Sequence, residues 1–133
     1  MSRQRSPWSV ALLAVVAAAT SCAGSDPPPG SVIEASELVA RLSADEDLVV
    51  LDVRTTDEYA GGHIPGAINV PHTELGERLA SLDLPVDAEI VVHCERGGRA
   101  AAAEAILREA GYTDIRDLEG HMQAWRAAGH PVE

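Results

Sequence analysis

The sequence predicts an α/β domain built on a mostly parallel five-stranded sheet with helices on both faces. Two observations carry this expectation. Short apolar runs alternate with helix-forming segments from residue 32 onward, and two of the runs, residues 48–53 and 90–94, are almost continuously apolar. A strand covered on both faces has that pattern, whereas a strand with one wet face alternates. Repeated strand–helix units of this size close right-handed into a parallel sheet and place any site at the carboxyl ends of the strands.

Residues 1–21 stand apart from that pattern. Arg3 and Arg5 open a basic start, the apolar run from Trp8 to Ala19 is too short to span a bilayer, and small residues lead to Cys22. This is the make-up of an export signal, and Ala19-Thr20-Ser21-Cys22 resembles a bacterial lipoprotein signal in which Cys22 becomes the lipidated first residue. Ordinary cleavage near Ala23 is the alternative. Residues 22–31, with Pro27-Pro28-Pro29, make a tether of partly extended polyproline character, reaching ~25–30 Å at about 3 Å per residue. The expected location is the periplasm or cell envelope, with membrane contact through the lipid alone.

The folded domain is expected over residues 32–133. Val32 and Ile33 form a short strand, and Ser36 can cap a helix ending at Leu42. Residues 48–53 form a buried strand broken only by Asp52. Thr56 can cap a short turn over Asp57, Glu58 and Tyr59, and Gly61-Gly62-His63-Ile64-Pro65-Gly66 is a rigid loop before a strand at residues 67–70. A helix is expected at residues 73–81, the central strand at 90–94, and a helix at 99–110 with Gly111 as its cap. A last strand at residues 115–118 and a last helix at 121–128, stopped by Gly129, complete the order.

Composition narrows the chemistry. With 133 residues, 46% of them hydrophobic, the chain has enough for one modest core. It has no Lys, which removes Schiff-base chemistry and a phosphate-loop lysine. Its formal charge is −11, and loss of residues 1–21 leaves eight Arg against 21 acids, a net −13. No basic stripe is available to neutralise nucleic acid, so an anionic substrate must be drawn in by a local loop. With Cys22 lipidated or removed, Cys94 has no intramolecular partner. A free thiol in an oxidising compartment is a liability unless its sulfur is used.

That thiol sits in the most informative stretch, Val91-Val92-His93-Cys94-Glu95-Arg96-Gly97-Gly98-Arg99-Ala100. Cys94 ends a strand, Gly97 and Gly98 let the backbone turn, and the alanine-rich run to residue 110 is strongly helix-forming. A strand–loop–helix junction turns orphan backbone N–H groups and the positive end of a helix dipole inward, which favours an anion at its centre. A thiolate is such an anion. Arg96 and Arg99 beside it lower the thiol pKa further, so a catalytic Cys94 outweighs a merely buried one. Zinc is not called for, because His63, His72, His93 and Cys94 lack a short paired ligand spacing.

Leu51-Asp52-Val53-Arg54, Glu58-Tyr59, the run from Gly62-His63-Ile64-Pro65-Gly66 through Pro71, the Cys94 loop, Leu118-Glu119-Gly120 and Trp125 occur in that order. Together they resemble the single-domain rhodanese family over residues 32–133. The resemblance implies a sulfurtransferase. Its loop cysteine takes sulfane sulfur from a donor such as thiosulfate, holds it as a persulfide and passes it to cyanide or a thiol. The expected partners are those small molecules, with no cofactor, no nucleic acid and a monomeric chain.

Roles for the remaining candidates follow. Glu95, Arg96, Gly97, Gly98 and Arg99 form the substrate loop. Arg99, at the position the family uses where the helix starts, is expected to bind the donor more strongly than Arg96, the alternative being ion pairs with Glu95. Asp52 is expected to brace the active loop by accepting N–H bonds, and Arg54 to pair with Glu58. His63 reads as a turn residue and His93 as a packed strand-end residue. His121 stands where the family often has a second Gly; it either contacts the sulfur donor or acceptor, or only tolerates the backbone bend. Relatives of the dual-specificity phosphatase type place Arg six residues after Cys, whereas Arg99 is five after Cys94. The shorter loop suits a persulfide and makes phosphatase the lesser enzyme reading. A non-catalytic module that binds a partner or senses redox state through Cys94 is the alternative of another class.

Overall fold

The computed structural model describes residues 31–133, so the expected signal segment, Cys22 and most of the tether lie outside the described residues. Five strands, β1 (Val32–Ile33), β2 (Val49–Asp52), β3 (Ile68–Asn69), β4 (Ile90–His93) and β5 (Ile115–Leu118), form one sheet in the order β1-β5-β4-β2-β3. Every pairing among them is parallel, which sharpens the expected mostly parallel sheet. The helices are α1 (Ala35–Ser43), α2 (Thr56–Ala60), α3 (Leu75–Arg78), α4 (Gly98–Glu109) and α5 (His121–Ala127), with a 3-10 helix at Leu79–Leu82.

The period-two geometry of the central strands divides the core in two. Leu51, Ile90, Val92 and Ile115 face α3 and α4, where Leu75, Ala100, Ala103 and Leu107 cover them. Val50, Val91, Ile33 and Leu118 face α1 and α5, where Leu38, Met122 and Trp125 cover them. Small Ala100 and Ala103 let α4 approach the sheet closely, and each fully buried large apolar side chain contributes ~1.5–3 kcal/mol.

Several boundaries differ from the sequence expectation. Ser36 lies inside α1, whose cap position is Glu34 without a side-chain bond. Thr55, not Thr56, caps α2, because its hydroxyl accepts from the Glu58 N–H while the Glu58 carboxylate accepts from the Thr55 N–H, a reciprocal capping box. The helix expected over residues 73–81 is one turn of α3 tightening into the 3-10 helix. Ser31, assigned to the tether, already joins the sheet edge: its hydroxyl donates to Ile115 O at 3.3 Å and its carbonyl accepts from the Asp117 N–H at 3.0 Å.

The register sets up the site. Asp52 on β2 lies beside His93 on β4, so the segments that follow both residues leave the sheet together at its carboxyl edge.

Candidate active site

Cys94 follows β4 directly, and the chain turns through Glu95 and Arg96 to Gly97, whose φ of 125° leads into α4. That backbone conformation is open to glycine, and a Cβ there would also lie 2.9 Å from His121 Nε2. The turn aims the Gly97 N–H at the Cys94 sulfur, 2.9 Å from Sγ. From the other side, α5 ties the loop down: Met122 N–H donates to Cys94 O at 3.1 Å and Gln123 N–H to Glu95 O at 3.2 Å. Cys94 is a buried free thiol. It forms the floor of a cavity of about 390 Å³ whose walls are Glu95, Arg96, Gly97, Gly98 and Arg99.

Burial works against the thiolate, but hydrogen bonds from His121 and from the backbone N–H groups of Ala100, Gly97 and Arg96 outweigh it. The Cys94 pKa falls to about 7. The sulfur is therefore about half ionised near neutrality, in a ring of donors that costs nothing to reorient.

The charged residues pair differently from the sequence expectation. Arg54, 2% exposed, does not pair with Glu58; its Nη2 donates to Asp52 Oδ2 and to Gly62 O, each at 2.8 Å, and its Nε to Asp52 Oδ1 at 3.0 Å. Its Nη1 lies 3.6 Å from Glu95 Oε2. Asp52 accepts the backbone N–H of Arg54 at 3.0 Å and lies 3.7 Å from His93 Nε2; it braces the Cys94 loop through the Arg54 guanidinium and not by accepting that loop's N–H groups. Two adjacent buried groups of opposite charge, fixed by the β2 terminus, leave Arg54 no freedom to reach Glu58.

Glu58 pairs instead with Arg99, which grips both its oxygens, and this bond holds its carboxyl down at about 2. Glu95 pairs with Arg126 and Arg54, not with Arg96 or Arg99. Among the described residues Arg96 makes no side-chain hydrogen bond or ion pair, and it is exposed on the cavity wall. The two loop arginines thus differ: Arg99 is paired with Glu58, whereas Arg96 is an unpaired cation.

Three histidines separate into distinct roles. His63 stacks on Tyr59 with ring centroids 3.7 Å apart, and its Nδ1 lies 2.9 Å from Tyr59 O, in the turn where it was expected. His93 is fully buried at the strand end, and burial keeps its pKa below the ordinary imidazole value. His121 adopts φ 53° directly after Gly120 and turns its ring toward Cys94. Its Nδ1 accepts the Cys94 N–H at 3.2 Å and its Nε2 lies 3.3 Å from Asp117 Oδ2. Burial opposes a charge on this ring, but the bonds to Asp117 and to the Cys94 side chain raise its pKa to about 9. The backbone bend expected at His121 is present, and the ring lies against Cys94. Asp117 on β5 and the buried Glu104 on α4 behind it were not singled out from sequence; the only hint was an acid four residues before His121.

The family model of the rhodanese-like domain matches residues 34–128. A sulfurtransferase of Allochromatium vinosum is 34% identical over 100 residues, covering 75% of this chain and 92% of that protein. The HTH-type transcriptional regulator Rv0324 of Mycobacterium tuberculosis is 42% identical over 107 residues, 79% of this chain, which spans only 46% of the regulator's length. Among solved structures, the human single-domain sulfurtransferase TSTD1 superposes with a TM-score of 0.67 at 29% identity, over 74% of this chain and 96% of that one.

Proposed function

This chain belongs to the rhodanese-like family, and from that premise we propose that it is a sulfurtransferase in which Cys94 carries sulfane sulfur as a persulfide. The observation that supports this most strongly is the Gly97 N–H held 2.9 Å from a sulfur whose pKa is lowered to about 7. The Cys94 thiolate attacks the outer sulfur of thiosulfate, the S–S bond of the donor breaks, and sulfite leaves with the electron pair. The negative charge moves one atom outward, from Sγ to the terminal persulfide sulfur, and stays within reach of the loop's donors. Cyanide or a thiolate then attacks that terminal sulfur and Cys94 departs as the thiolate it began as.

Arg96 supplies the local positive charge that draws an anionic donor toward an otherwise acidic domain. The Arg54–Asp52 pair and the Arg99–Glu58 pair hold the loop's flanks. Residues 1–21 act as an export signal, and Cys22 carries the lipid that tethers the domain, residues 32–133, to the cell envelope.

A second reading, a redox- or partner-sensing module, draws on the similarity to a transcriptional regulator. Thiocyanate production from thiosulfate and cyanide separates the two: a sulfurtransferase makes it and Cys94→Ser does not, whereas a sensing module makes none in either form.

A further inference from the structure

Behind Cys94 lies a line of ionisable groups that sulfur transfer by backbone donors alone leaves unused. His121 reaches the catalytic loop from α5, Asp117 reaches His121 from β5, and Glu104 stands behind Asp117 on α4. The three come from separate elements, and the ring is only 6% exposed. Its position is also enforced. Gly120 has φ 72° and a Cβ there would fall 2.4 Å from the Ala124 Cβ, while Gly97 lacks the Cβ that would strike His121 Nε2. A large titratable ring packed into this space serves no apolar core.

We propose that His121, held by Asp117, is the proton acceptor for the Cys94 thiol, so that the sulfur nucleophile is one half of a thiolate–imidazolium pair. This deepens the sulfurtransferase reading and rests on Cys94 being its nucleophile. In the neutral ring Nδ1 is the bare nitrogen, since it accepts the Cys94 N–H, and Nε2–H faces Asp117. The Cys94 S–H bond breaks with its electron pair left on Sγ, and an N–H bond forms at Nδ1. The Cys94 amide loses its acceptor in exchange, and Asp117 balances the new positive charge. No oxidant or further reactant takes part.

The groups facing the ring set its working range. Asp117 from β5 and the Cys94 sulfur favour the imidazolium; burial and the neighbouring His93 on β4 oppose it. Glu104 from α4, pushed up to about 7 chiefly by burial and then by Asp117, is protonated at mildly acidic pH and leaves the Asp117 charge to His121. With the sulfur near 7 and the ring near 9, the ion pair predominates between those values. Loss of the ring should leave the sulfur chemically competent but harder to ionise.

The test is the rate of iodoacetamide alkylation of the Cys94 peptide in the full chain, followed by mass spectrometry from about pH 5 to about pH 10. Wild type should inflect near 7. His121→Asn, whose side chain tolerates positive φ, should move the inflection up by about one unit or more, so that alkylation at about pH 6.5 falls roughly tenfold while the high-pH plateau stays within about threefold. Asp117→Asn should shift it the same way by less. An unmoved inflection in both variants overturns the proposal, because a structural role would change the plateau or the fold and not the profile. Should neither variant fold, the His121 ring signal followed by NMR in wild type and Cys94→Ser decides: a fall in its apparent pKa by about one unit supports the pair, and no change overturns it. Alkylation needs no sulfur donor, so a chain that alkylates as described but takes up no sulfur would sink the sulfurtransferase reading alone.

Discussion

Arg99 Nη1 and Nη2 grip the two carboxylate oxygens of Glu58 at 2.5 and 3.0 Å, across 41 residues of sequence. The capped start of α2 is thereby pinned to the first turn of α4, and the charge that the sequence offers to an anionic donor is spent inside the protein. Arg96, unpaired and exposed on the cavity wall, should therefore dominate donor capture. Arg96→Ala is expected to lower kcat/KM for thiosulfate about five- to tenfold, the effect of ~1–1.4 kcal/mol for a solvent-screened charge. Arg99→Ala should change it less and lower the melting temperature instead. A larger kinetic loss in Arg99→Ala would restore the ranking drawn from the sequence.

The Asp52–Arg54 pair, with both side chains essentially buried, predicts a different kind of damage. Arg54→Ala removes the partner of a buried carboxylate and the donor to Gly62 O, and should cost ~3–5 kcal/mol in urea unfolding. A loss below about 1 kcal/mol would mean that water or another residue takes over the charge.

Glu104 gives stability a pH signature. Burial first, and then the Asp117 charge, raise its folded-state pKa to about 7, so the folded chain holds that proton more tightly than the unfolded chain does. Its contribution is complete below the unfolded value of 4.5 and is lost as pH rises through about 7. Glu104→Gln should therefore gain ~1–3 kcal/mol at about pH 8 and change little at about pH 5, by urea unfolding at both values. An equal change at both would show that the carboxyl is ionised throughout.

These residues mark how far the sequence could be read. Residues 48–53 and 90–94 announce buried parallel strands because nearly every side chain is apolar, and the Cys94 loop announces itself because the glycines and arginines crowd one thiol. Ion-pair partners are another matter. Arg54 and Glu58 lie four residues apart and invite pairing, but the β2 terminus turns Arg54 inward to Asp52 while α2 turns Glu58 outward to α4. Asp117 sits in Ile115-Arg116-Asp117-Leu118, where an acid looks like the wet half of a strand, and Glu104 in an alanine run looks like a solvent-facing helix residue. Only the packing of α4, β5 and α5 against one another brings them behind Cys94. The same limit separates Thr55 from Thr56 as a cap, since either hydroxyl could serve until the helix start is fixed.

The amino-terminal region carries its own expectation. A basic start, a short apolar run and small residues before Cys22 predict that the chain is exported and lipidated there. Wild type should partition into the detergent phase and Cys22→Ala into the aqueous phase. Aqueous partitioning of both would exclude the lipid tether.

The most direct measurement of the central claim is the intact mass of the protein after exposure to thiosulfate. Wild type should gain the mass of one sulfur atom, located at Cys94, and lose it on addition of cyanide with release of thiocyanate. Cys94→Ser, whose hydroxyl stays protonated at neutral pH, should remain folded and gain nothing. A wild type that gains no sulfur, or a Cys94→Ser protein that still makes thiocyanate, would contradict a Cys94 persulfide as the carrier.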